Sequence, residues 1–342
     1  MINSNNFYGC CEDDMKKLCL ALLVAGCTMS ASAATYYNCA TNTGCVAQDD
    51  IKVSSSYAKT KYPMVFANGA GGGFNQIGSL NYWYNIPQDL IKNGASVYVT
   101  KAAALNSSEY RGEEVLQQVR GILAISNAGK VNLIGHSHGG QSVRYVAAVV
   151  PQMVASATTV AAPHKGSPVA DLALRAQEIE PTNGILIGAV AAFANLIGMS
   201  TDYLSGNSGA DQDAIAALNA LSSAGTADFN VRFPMGVPST ACGQGASQVQ
   251  GMRFYSWSGA GKITNAFDPS DTLLAATGLA VQGESDGLVP VCSSHFGKVI
   301  RDNFRMNHLD EVNQVAGLVS LFETNPISVF RAHANRLKND KL

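Results

Sequence analysis

Residues 135–139 read Gly135-His136-Ser137-His138-Gly139, a serine with glycine two positions away on either side. An alcohol is a weak nucleophile until a neighbouring base takes its proton, so this run matters only if its surroundings present the hydroxyl to such a base. The flanking sequence supplies the setting. Val131-Asn132-Leu133-Ile134 is a short apolar run of buried-strand character, and residues 141–150 have helical spacing that stops at Pro151. A serine on a sharp strand-to-helix turn needs neighbours without colliding side chains, which is what the two glycines provide. The N–H of His138, at the positive end of the following helix, would face a developing oxyanion. A second donor is expected from the loop after an earlier strand, where Asn68-Gly69-Ala70 follows Pro63-Met64-Val65-Phe66-Ala67, and Ala70 N–H is the candidate. The glycines at 71–73 do not form a phosphate cradle, since no Gly-Lys-Ser/Thr follows them.

The base must be one of six histidines. His136 and His138 flank the serine on the turn itself and point elsewhere, and His164 comes too early for the Ser, acid, His order that goes with such an elbow. For the acid, Gly283-Glu284-Ser285-Asp286-Gly287 is a turn with two carboxylates before an apolar run, and Asp286, followed by glycine, is the better of the two. His295, His308 and His333 remain; His295 and His308 both lie on later loops, and the residues alone do not choose between them.

The elements that would carry these groups alternate. Strand patterns at 63–67, 96–100, 131–134 and 157–161 are separated by helical stretches near 87–93, 113–125 and 141–150, which predicts a mostly parallel sheet with helices on both faces. Residues 171–230 change to a long helical region with few charges, including fifteen uncharged residues at 185–199, too short for a membrane span. A further strand is expected at 252–257 and a closing helix at 312–329. Of 342 residues, 46% are hydrophobic and 14% charged, which excludes a disordered chain or a coiled coil. With 23 Lys+Arg against 25 Asp+Glu and no basic block, there is no electrostatic footprint for nucleic acid.

At the amino end, Met15-Lys16-Lys17, a short apolar run and Ala31-Ser32-Ala33 read as a signal peptide within residues 1–33, with Met15 the expected start because Glu12, Asp13 and Asp14 suit a leader badly. Val24-Ala25-Gly26-Cys27 offers the alternative of a lipoprotein anchored through Cys27. Removing the leader leaves Cys39, Cys45, Cys242 and Cys292. In an exported chain these suit disulfides, with the short separation favouring Cys39 with Cys45 and leaving Cys242 with Cys292.

The chain resembles the Pseudomonas-type secreted bacterial triacylglycerol lipases, the group that folds with a dedicated membrane-anchored chaperone. The resemblance covers about residues 62–337. It is carried by residues 131–140 (VNLIGHSHGG), 144–148 (RYVAA), 162–167 (APHKGS) and 301–314 (RDNFRMNHLDEVNQ). It implies an α/β-hydrolase domain over 62–342, with a helical lid inserted at about 171–221 and a monomeric enzyme. Ser137 would be the nucleophile, Asp286 the triad acid and His308 the base. One structural Ca²⁺ would be held by Asp268, Asp310 and the backbone carbonyls of Gln314 and Leu318, an oxygen set that suits this ion. A disulfide between Cys242 and Cys292, a lipase-specific foldase, secretion through the periplasm, and lipid esters met at an oil–water interface complete the expectation. The resemblance thus points to hydrolysis of long-chain acylglycerol esters through an acyl-enzyme. The alternatives are a short-chain carboxylesterase or polyester depolymerase with the same triad, or an inactive surface binding protein, which would need a broken constellation. The chain departs from the group where Asn68-Gly69-Ala70 replaces the usual His-Gly and large apolar residue, and residues 34–61 are an extension with no assigned role.

Overall fold

The computed structural model describes residues 33–72, 81–178 and 212–342. The chain runs through β1 (Ala33–Ala34), β2 (Tyr37–Ala40), β3 (Gly44–Ala47), β4 (Ile51–Lys52), β5 (Met64–Ala67), α1 (Ile86–Lys92), β6 (Val97–Thr100), α2 (Ser108–Ser126), β7 (Val131–His136), α3 (His138–Val149) and β8 (Val154–Val160). It continues through α4 (Pro168–Glu178), α5 (Ala214–Leu221), α6 (Ser223–Arg232), β9 (Gln248–Val249), β10 (Met252–Gly259), α7 (Ser270–Thr277), β11 (Lys298–Phe304) and α8 (Pro326–Asn339).

The main sheet has the order β11-β10-β8-β7-β5-β6-β2-β3. Its strands are parallel from β11 to β2, and β3 closes one edge antiparallel to β2. Strands β5, β6, β7 and β8 are buried at every position, as expected where helices cover both faces. The period-two alternation of β5 separates those faces. Met64 and Phe66 join a cluster with Trp83, Leu90, Trp257 and Phe330, under α1 and α8. Val65 and Ala67 join Val119, Leu133, Val146 and Phe254, under α2 and α3. Because β6 lies on one side of β5 and β7 on the other, the winding reverses between β5 and β7, and a crevice opens beyond their carboxyl ends.

The alternating region matches the expectation from sequence closely, but the closing helix does not. It begins at Pro326, not near residue 312. Asn313, Ala316 and Gly317 take left-handed backbone angles (φ 59°, 50° and 77°), which breaks any helix through them. The helix starts where Asn325 accepts the N–H of Ile327 and Pro326 occupies the first turn. The extension at 34–61 supplies β2, paired parallel to β6, and the Cys39–Cys45 disulfide staples β2 to β3. Cys242 and Cys292 form the second disulfide. The expected signal peptide, Cys27 and most of the expected lid fall outside the described residues. Among those described, no helix is long and apolar enough to cross a membrane.

Candidate active site

Ser137 sits between β7 and α3 with φ 54° and ψ −128°, a conformation that L-residues rarely hold and that persists only where the surroundings impose it. The surroundings explain both glycines of the run. A Cβ on Gly135 would overlap the carbonyl of Gly139, and one on Gly139 would overlap the carbonyls of Ala67 and Asn68. The N–H of Ser137 is held by Val160 O at 2.9 Å. His138 opens α3, so its N–H is among those a helix leaves without an intrahelical partner.

The other expected oxyanion donor is oriented indirectly. The carbonyl of Gly69 accepts Asn68 Nδ2 at 2.9 Å and the Arg111 guanidinium at 3.2 Å, and Arg111 also holds Asn68 O at 2.5 Å. A trans peptide is planar, so fixing Gly69 O on one side directs the Ala70 N–H to the other. Asn68 therefore ties down the loop from within, and its Oδ1 accepts Ala102 N–H at 3.0 Å. Arg111 is fully buried, and that burial lowers its pKa to about 10. Ala70 packs against two small apolar clusters that include Leu105, Ala170, Leu218 and Leu221, from the loop before α2, the start of α4 and α5.

Asp286 lies on a tight turn whose Val291 N–H returns to Glu284 O at 3.0 Å. Gly287 is required at φ 102°, where a side chain would also meet Leu274. The Asp286 carboxylate is fully buried, while Glu284 is exposed. Its Oδ1 accepts the N–H groups of Leu288 (2.9 Å) and Val289 (2.7 Å), and its Oδ2 lies 2.7 Å from His308 Nδ1. A second link runs from His308 N–H to Asp286 O at 3.0 Å. The two histidines that the sequence left open are thereby separated. His295 is engaged by Gly243 O and Asp302, whereas His308 is bonded to the buried acid, with its ring 4.7 Å from that of His136, the residue before Ser137. The remaining histidines are buried and occupied. His138 contacts Ser108 Oγ, His164 lies between Arg144 and Thr159, and His333 lies between Thr158 and Arg336. Burial holds His136, His138 and His164 well below the usual imidazole range, and His333 at about 3.

Sequence reasoning missed two members of this neighbourhood. Tyr82 places its hydroxyl between Gly69 N–H and His136. Glu311 is fully buried, accepts Gly259 N–H, and has its pKa raised well above normal by burial and then by nearby Asp286. Tyr82 falls in no motif, and Glu311, though inside the 301–314 run, carries no signal of a role there; only the three-dimensional path of the chain brings them to the site.

Asp268 and Asp310 are also buried. Asp268 accepts the N–H and hydroxyl of Ser270, each at 2.7 Å, and Asp310 Oδ2 accepts Asn307 N–H at 3.1 Å. Asn307 Nδ2 bridges to Asp271 at 2.8 Å and lies 3.5 Å from Asp268. Burial raises both pKa values, Asp310 to about 7, and nearby Asp271 adds to each. Among the described residues no cationic side chain pairs with these carboxylates, and no three acidic, histidine or cysteine side chains form a ready metal cluster. Two buried carboxylates that lack a counter-charge, beside the turn that carries Gln314 and Leu318, form a donor set compatible with a hard cation.

The sequence matches the family model described as alpha/beta hydrolase fold across residues 62–312. It is 49% identical over 282 residues to a triacylglycerol lipase of Vibrio cholerae, covering 82% of this chain and 89% of that one. It is 39% identical over 348 residues to a triacylglycerol lipase of Burkholderia plantarii, covering 92% of each. Among solved structures, the mature form of a Bacillus licheniformis lipase superposes with a TM-score of 0.56 at 17% identity over 85% of this chain and 96% of that one, a likeness of fold. With the family and the relatives in agreement, the chain belongs to the α/β-hydrolase fold family and, within it, to the bacterial triacylglycerol lipases, which makes it a carboxylic ester hydrolase.

Proposed function

We propose that this enzyme hydrolyses long-chain acylglycerol esters with Ser137 as nucleophile, His308 as base and Asp286 as the acid that orients it. The observation that carries the reading is the 2.7 Å contact between His308 Nδ1 and the buried Asp286 carboxylate, beside the strained serine turn. With Nδ1–H donated to Asp286, Nε2 of His308 carries the lone pair that takes the Ser137 proton. Ser137 Oγ then bonds to the ester carbonyl carbon, and the N–H groups of His138 and Ala70 hold the oxyanion. The protonated His308 returns its proton to the departing alcohol. Water, deprotonated by the same imidazole, releases the fatty acid and restores the serine. The acylglycerol substrate is inferred from the named lipase relatives. Ser137→Ala is expected to abolish release of fatty acid from emulsified triolein while leaving the melting temperature within a few degrees. Comparable hydrolysis by that variant would overturn the assignment. A panel from tributyrin to triolein separates a long-chain lipase from a short-chain esterase.

Asp268, Asp310 and the carbonyls of Gln314 and Leu318 would hold one Ca²⁺, which supplies positive charge that neutralises the buried carboxylates. Asp310 is two residues from His308, so the ion would brace the histidine loop and take no part in the chemistry. Chelation by EDTA should lower the melting temperature and the hydrolytic rate together, and added Ca²⁺ should restore both, since a ligand of the folded state stabilises it. A melting curve indifferent to EDTA and to Ca²⁺ would remove this site. Export through the periplasm, with a lipase-specific foldase as partner and a monomeric product, completes the proposal. The leader-like residues 15–33 and two disulfides support the export step.

A further inference from the structure

A chain of hydrogen bonds runs beneath Ser137, and its two ends leave only one arrangement of protons. Gly69 N–H donates to Tyr82 Oη at 2.8 Å. A backbone N–H can only donate, so the phenol accepts there and its own hydrogen is available for His136 Nδ1, 2.5 Å away. At the far end, His136 Nε2 is 3.0 Å from the carbonyl of His308, which can only accept. The imidazole must therefore carry its proton on Nε2 and present the lone pair of Nδ1 to the phenol. A doubly protonated ring would leave the phenol's own hydrogen without its acceptor and would place an unpaired charge in the interior. The three side chains are 4%, 1% and 3% exposed, so water cannot substitute for a missing partner.

Each link belongs to a different part of the site. Gly69 precedes Ala70, the proposed oxyanion donor, and a Cβ on Gly69 would come within 2.8 Å of Ser137 Cβ. His136 is the last residue of β7, adjoining the nucleophile. His308 is the proposed base. Tyr82 and His136 together join all three segments.

We propose that Tyr82 and His136 are positioning residues, a buried relay that sets the oxyanion loop and the His308 backbone in register around Ser137. The proposal deepens the ester-hydrolysis reading and rests on it. Removing the phenol oxygen leaves Gly69 N–H and His136 Nδ1 both buried and unpaired, and frees the imidazole to change tautomer. The loop and the base then lose their common reference, and a small misplacement of reacting groups slows the chemical step more than it weakens substrate binding.

The test uses the full chain and two readouts. In ¹⁵N-histidine NMR of the wild-type protein, His136 should show a protonated Nε2 and an unprotonated, hydrogen-bonded Nδ1. A proton on Nδ1 overturns the relay, and this measurement does not depend on any variant folding. In Tyr82→Phe, kcat for p-nitrophenyl butyrate should fall on the order of 10- to 100-fold, with KM changed less than about twofold. The His136 signals should also move toward a mixture of tautomers. A purely packing role would leave the tautomer unchanged, and that result, or an unchanged kcat, overturns the proposal. A p-nitrophenyl alkylphosphonate, with the labelled residue located by mass spectrometry, separates the two readings. If wild-type Ser137 is labelled and Tyr82→Phe turns over normally, only the relay fails. If Ser137 is never labelled, the catalytic reading fails and takes the relay's role with it.

Discussion

Ser137, Asp286 and His308 each occupy a position in which the backbone does part of the work. Ser137 is held at positive φ by contacts that exclude side chains at 135 and 139, and Asp286 is fixed by two N–H groups before it meets the imidazole. Since Asp286 accepts from His308 Nδ1, an amide at 286 could offer its NH₂ to that nitrogen and stabilise the wrong tautomer. Asp286→Asn should therefore cost about 10⁴-fold in kcat, the size of the effect of the same change in a serine protease, with little loss of folding. Steady-state kinetics beside a melting curve decides this, and a loss below about tenfold would point to another carboxyl as the partner of His308. The strand-to-helix turn at Ser137 was legible in the sequence because the spacing of its glycines is dictated by local sterics. The choice between His295 and His308 was not, since it depends on which loop reaches Asp286, and residue type carries no such information. Tyr82 escaped notice for the same reason: tyrosine is an ordinary core residue until two segments meet at its hydroxyl.

Among the elements, those with simple periodicity were readable, and those that depend on capping or edge pairing were not. Strands β5 to β8 and helices α1 to α3 lie where apolar runs and helical spacing put them. The closing helix was misplaced because residues 312–322 are apolar enough to suggest a helix, whereas Asn313, Ala316 and Gly317 turn the chain and Asn325-Pro326 starts the helix afresh. Strands β2 and β3 carry little hydrophobic signal and owe their place to pairing with β6 and to the Cys39–Cys45 bridge. The two disulfides should differ in worth. Closing a loop across a separation of six residues constrains the unfolded chain by about 2 kcal/mol, and across a separation of fifty by about 4 kcal/mol. Urea denaturation of Cys39→Ser/Cys45→Ser and Cys242→Ser/Cys292→Ser double variants should preserve that ranking, and the reverse order would mean that native-state contacts, not chain entropy, dominate.

At the scale of the whole molecule, four neutral buried histidines tie stability to pH. The unfolded chain protonates each near 6.5, while the folded chain resists, with His333 held to about 3 by burial and by Arg336. The unfolded state thus takes up more protons in acid, so this contribution is complete above about pH 6.5 and is lost as pH falls towards the folded-state values. The limiting slope is about 1.4 kcal/mol per pH unit for each histidine. His333→Gln, which can retain a bond to Thr158, should flatten the pH dependence of urea stability between pH 6 and 4 by about one such increment. An unchanged slope would show that His333 protonates without unfolding. The sheet order carries a consequence for how the enzyme comes into being. Strand β5, made early, is flanked by β6 on one side and β7 on the other, and the outermost parallel strand, β11, ends four residues before His308. A growing polypeptide therefore leaves the ribosome with an unpaired sheet edge and without His308, the proposed base. If His308 is the base, products of translation stalled before it should be inert towards the cell's own lipids.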